Sequence, residues 1–75
     1  MTKLRDEELL KSFGQRVRKL RTERGLSQSE LDALSNVDRV QIERIENGKI
    51  NTTICTAHQL AKAFDMSISE LMKFE

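Results

Sequence analysis

"GLSQSELDALSNVDRVQIERIENGK", residues 25–49, holds two helix starts joined by a link of three residues. In Ser27-Gln28-Ser29-Glu30 the Ser27 hydroxyl can accept from the backbone N–H three residues on, while Glu30 reaches back to Ser27, the reciprocal pattern of a capping box. Leu26 and Leu31 flank it at the spacing of a hydrophobic staple. Asp38-Arg39-Val40-Gln41 repeats the scheme, with Asp38 as cap and Val37 and Ile42 as staple. The two helices run over about 28–34 and 39–46, and Asn47-Gly48 closes the second. The link Ser35-Asn36-Val37 is short enough for a helix-turn-helix. Asn36 suits it, because such a turn needs one residue at positive φ and asparagine substitutes best for glycine there.

Outward from this unit, Leu10, Phe13, Val17 and Leu20 recur at spacings of three and four, which predicts a helix over 6–24 stopped by Gly25. Ile54, Ala57, Leu60, Ala61 and Phe64 mark a fourth helix, capped by Thr53. Ser67-Ile68-Ser69-Glu70 is another capping box, with Met66 and Leu71 as staple, and opens a fifth helix over about 68–74. No strand pattern and no proline interrupt the chain. The expectation is an all-α, compact five-helix domain over residues 1–75, with a helix-turn-helix at about 27–47.

Seventy-five residues form one small domain with a marginal core. Cys55 is the one cysteine, so an intrachain disulfide and a Cys2His2 zinc site are excluded, and a reducing, cytoplasmic setting is expected. Cys55 reads as a small apolar filler and His58, the one histidine, as an exposed residue of the fourth helix. No apolar run is long enough for a membrane span, and no signal-peptide core follows Met1. No Ser-His-Asp set, glycine-rich phosphate loop or paired-carboxylate cluster can be assembled. No catalytic residue, metal, cofactor or small-molecule ligand is therefore expected, and the chain reads as a non-enzyme.

The net charge of +1 does not by itself point to nucleic acid. Its distribution is uneven. Residues 1–25 carry eight basic side chains (Lys3, Arg5, Lys11, Arg16, Arg18, Lys19, Arg21, Arg24) against four acids, a net of +4. That segment is either a phosphate-facing flank or a solvated helix face.

With these residues in view the chain resembles the prokaryotic helix-turn-helix regulators that include phage repressors and Cro proteins. The resemblance rests on residues 25–49 as a set, on "FGQRVRKLRTERG" before them and on "HQLAKAFDMSISEL" after them, and covers about residues 10–72. The "DRVQI" start of helix 3 is also similar to the controller proteins of restriction–modification systems. Three positions depart from the family pattern. Asp32 stands where a small alanine lets helices 2 and 3 approach, Asn36 replaces the turn glycine, and "INTT" after Lys49 lacks the usual proline. A buried, unpaired Asp32 would cost several kcal/mol, so it is expected to be exposed or paired, with Arg39 or Arg44 as the partner.

At about 100° per residue, Ile42 and Ile45 define the buried stripe of helix 3. Asp38 is spent as the cap. The resemblance implies that Glu46, beside the stripe, pairs with Arg21 of helix 1. Arg39, Val40, Gln41 and Arg44 then face a major groove, where arginine forks onto guanine, glutamine bridges adenine and valine packs on a thymine methyl. Glu43 is the lone outward acid. Gln28 looks like the family's phosphate contact at a helix N-terminus, and Asn47 and Lys49 are expected backbone clamps. The resemblance implies double-stranded DNA as partner, read by a homodimer on half-sites about one turn apart. Helix 5, with Ile68, Leu71, Met72 and Phe74, has more apolar surface than one small core needs and is the expected dimer element. The leading expectation is a sequence-specific transcriptional regulator on a (pseudo)palindromic operator. The alternative is a protein-interaction module such as an antitoxin component, its DNA binding secondary or lost through Asp32.

Overall fold

The computed structural model describes residues 6–74. Five helices follow one another: α1 (Glu7–Glu23), α2 (Gln28–Ser35), α3 (Arg39–Glu46), α4 (Ile54–Ala63) and α5 (Ile68–Leu71), with no strand among the described residues. Each start is set by a side chain that accepts an otherwise unpaired backbone N–H. Asp6 takes that of Leu9, Ser27 that of Glu30, Asp38 that of Val40, Thr53 that of Thr56 and Ser67 that of Glu70. Both serine caps are reciprocated by the glutamate three residues on.

The core is formed by one face of every helix. Phe13, Val17, Leu20, Leu31, Ile42, Ile45, Leu60, Phe64 and Leu71 are buried together, and Val37 anchors the turn between α2 and α3. Asn36 holds the turn in the left-handed region at φ 62°. Val37 donates its N–H to the Ser35 hydroxyl at 3.1 Å, and the Gln59 amide of α4 donates to the Ser35 carbonyl at 3.2 Å. The α2–α3 corner is thus fastened on its core side as well as through its backbone.

Helix α1 packs closely on α3. A Cβ placed on Gly14 would run into the Ile45 and Glu46 carbonyl oxygens, so the two backbones approach to a distance only glycine permits. Arginines of the basic segment also make contacts within the chain. Arg16 donates to the Leu71 and Glu70 carbonyls at 3.2 and 2.8 Å and so closes the end of α5. Arg24 donates to the Leu20 and Phe64 carbonyls and lies 5.2 Å over the Phe64 ring. With Arg18 and Arg21 on Glu46, four arginines of α1 and its end serve as struts to other parts of the chain. Lys3 and Arg5 lie outside the described residues.

Three expectations are corrected. Helix α5 ends at Leu71, not 74, because the chain turns there and Phe74 packs against Phe13, the rings tilted with centroids 6.2 Å apart. Leu71 is fully buried in the monomer core and is lost to any dimer surface, and Ile68 and Phe74 are half-buried against the same core. Cys55 is exposed rather than a core filler, in the first turn of α4 beside the exposed Ile54.

Candidate nucleic-acid interface

Helix α3 carries the candidate interface, and its residues divide by face. Ile42 and Ile45 are at 0% and 1% exposure and fix the helix against the core. Glu46, on the same side, is buried. Arg39, Val40, Glu43, Arg44 and Asn47 are exposed, and Gln41 is half-buried on the flank. Val40, a valine at 42% exposure, is an apolar group offered to solvent on an otherwise charged surface. Glu43, Arg44, Asn47, Lys49 and Ile50 line one shallow depression at the far end of the helix.

Glu46 is the hub beneath this surface. Arg21 forks onto it, Nε to Oε2 at 2.7 Å and Nη2 to Oε1 at 3.0 Å, and its remaining Nη1 donates to the Leu26 carbonyl at 2.8 Å. Arg18 Nε and the Gln28 amide also donate to Oε1, at 3.2 and 3.1 Å. Burial pushes the Glu46 carboxyl up, but the hydrogen bonds from Arg21, Gln28 and Arg18 and the Arg21 charge outweigh it, so its pKa is lowered. The bond to Glu46, reinforced by its charge and opposed by burial, raises that of Arg21. One carboxylate therefore ties α1, the start of α2 and the end of α3 together.

Gln28 is not a free side chain, then. Its amide nitrogen is on Glu46, and what α2 offers outward at its start is the capped helix end itself. Arg18, one of the basic side chains of residues 1–25, was not expected on Glu46. Its Nη2 donates to the Asn47 side-chain oxygen at 3.3 Å, and its side chain is 52% exposed, so it brings a second cation to Glu46. With two guanidiniums on one carboxylate, the junction of α1 and α3 has one positive charge in excess. The spacing of Arg18 and Arg21, on the α1 side that meets α3, is the signal that could have found it.

Asp32 takes an unexpected partner. Its Oδ2 accepts the backbone N–H of Arg39 at 2.9 Å, and not a guanidinium. Among the described residues, none accepts from the guanidinium of Arg39 or Arg44. Both arginines stay available at the surface.

The described residues contain no cluster of three histidine, cysteine, aspartate or glutamate side chains that could hold a metal ion. His58 is exposed on α4. Among the described residues, no helix is long and apolar enough to cross a membrane.

Residues 17–71 match the family model described as Helix-turn-helix, HTH_3. The chain belongs to this helix-turn-helix family. An uncharacterised HTH-type transcriptional regulator of Sinorhizobium fredii is 34% identical over 65 residues, which cover 87% of this chain and 84% of that protein. The restriction-modification controller protein C.AhdI of Aeromonas hydrophila is 44% identical, with a TM-score of 0.79 over 85% of this chain and 96% of its own. The controller C.Esp1396I, solved as a tetramer on its natural 35 base-pair operator, is 30% identical, with a TM-score of 0.79 over 89% of this chain and 92% of its own.

Proposed function

We propose that this chain is a small sequence-specific DNA-binding regulator of transcription that acts by binding rather than by catalysis. The observation that carries the reading is the outer face of α3. Arg39, Val40 and Arg44 are exposed, neither guanidinium has an acceptor among the described residues, and the helix under them is held by Ile42, Ile45 and Glu46. Similarity to a controller solved on its operator supports it.

In this reading α3 enters the major groove. Arg39 and Arg44 fork onto guanines, Gln41 bridges an adenine and Val40 meets a thymine methyl. Backbone phosphates are met by the start of α2 at Gln28, by Asn47 and Lys49, and by Arg18 with its surplus charge. The regulator works as a homodimer on a (pseudo)palindromic site in the cytoplasm. With Leu71 buried, the dimer surface shifts to the exposed Met72 and Ile54, which with Leu9 line an apolar groove of about 260 Å³ between α1, α4 and α5. The alternative is an interaction module such as an antitoxin component, with secondary or lost DNA binding; its link to Asp32 is weakened, since that carboxylate accepts a backbone N–H and not an arginine side chain.

Selection of bound sites from a random DNA pool tests this reading. A palindromic consensus, bound more weakly as salt rises, is the expected result. Binding of all sequences alike at low salt would overturn it.

A further inference from the structure

We infer that Asp32 is a positioning residue for DNA recognition, a carboxylate of α2 that caps α3 and so determines how the base-reading face is presented. The inference rests on the DNA-binding reading above.

An N-cap side chain ordinarily serves the second or third N–H of its helix, and Asp38 does so by accepting from Val40 at 2.8 Å. The first N–H, that of Arg39, is beyond its duty and in most helices is left to water. Here Asp32 reaches it from the neighbouring helix at 2.9 Å. The same residue accepts the N–H of Asn36 on its main-chain carbonyl at 2.8 Å. Residue 32 therefore closes the turn twice, once through its backbone at the end of α2 and once through its side chain at the start of α3. The half-buried position leaves the carboxylate at the crossing of the two helices, where a small side chain would have no atom to span the gap.

The consequence for recognition follows from what the cap holds. Arg39 is the first residue of α3, and Val40 and Arg44 follow on the exposed face. Bidentate base contacts hold only within a few tenths of an ångström, so a start of α3 that lifts or swivels loses them before the fold is lost.

The test compares Asp32→Ala with Asp32→Asn. Both remove the charge, but only alanine removes the acceptor. The readouts are the affinity ratio between the selected site and single-base variants of it, and the hydrogen-exchange rate of the Arg39 amide in the free protein. Asp32→Ala should lower the ratio about tenfold, the weight of roughly one base pair, and speed exchange at Arg39 while the melting transition stays cooperative. Asp32→Asn should hold both readouts near wild type. A wild-type ratio in Asp32→Ala, or equal losses in the two variants, would overturn the inference and leave the DNA reading standing. A wild-type protein that selects no site would overturn both.

Discussion

Arg21 of α1 grips Glu46 of α3 with two parallel N–H donors, at 2.7 and 3.0 Å, across 25 residues of chain. The carboxylate has no exposed side-chain surface, and Arg21 keeps only 14% of its own. Removing one partner of such a pair leaves a buried charge, which costs far more than the pair is worth when intact. Arg21→Ala is therefore expected to lower stability by about 3 kcal/mol, with Arg18 and Gln28 left to hold Glu46. Arg18→Ala, at a half-exposed side chain, should cost less than about 1 kcal/mol. Urea unfolding of the two variants beside wild type checks the ordering.

Stability should fall on acidification through Glu46. Its pKa is lowered from the ordinary 4.5, so its contribution is complete above that value and is lost as pH falls through the lower folded value. Glu30 and Glu70, lowered first by the backbone N–H of Ser27 and of Ser67, act in the same direction. Thermal melts between pH 7 and 3 should show a flat upper region and a decline below about 4.5. In Glu46→Gln the protein is weaker at neutral pH but declines less steeply, since the largest buried titrating group is gone.

Gly14→Ala sets two effects against each other. Alanine in a helix interior gains about 1 kcal/mol over glycine. Its Cβ would meet the Ile45 and Glu46 carbonyl oxygens, which are backbone and cannot swing aside. Overpacking costs about 1–3 kcal/mol even against side chains, so the net sign is destabilising. A lowered denaturation midpoint is expected. A raised one would show that α1 and α3 are farther apart than described.

Arg44→Ala separates reading from folding. The side chain is exposed and makes no hydrogen bond or ion pair among the described residues, so the melting temperature should not move. On the selected site the variant should lose about 1–3 kcal/mol and relax preference at one base pair. Titration against the site and its single-base variants measures both.

Three helix starts, those of α2, α3 and α5, were legible because each is written within six consecutive residues, as with Leu26, Ser27, Glu30 and Leu31. The end of α5 was not, because it is set by Arg16, 55 residues away, whose guanidinium takes the Leu71 carbonyl. An apolar period also cannot tell a core residue from an exposed one, and Leu71 and Met72, adjacent in the chain, fall on opposite sides of that line. The outward residues of α3 followed from helical geometry once Ile42 and Ile45 were taken as the stripe. Asp32 shows the limit: its character demanded a partner and the spacing put Arg39 within reach, but sequence carries no distinction between a guanidinium and a main-chain N–H.

The eight residues of α3 divide two kinds of duty with little overlap. Asp38 before the helix and Ile42, Ile45 and Glu46 within it answer to the fold, while the exposed side chains of Arg39, Val40 and Arg44 make no hydrogen bond or ion pair among the described residues. Side-chain substitutions at those three that keep the helix are expected to leave the scaffold intact. Such a helix can drift toward a new operator one base pair at a time, with stability placing no brake on the change and the matching DNA site the only thing that must keep pace.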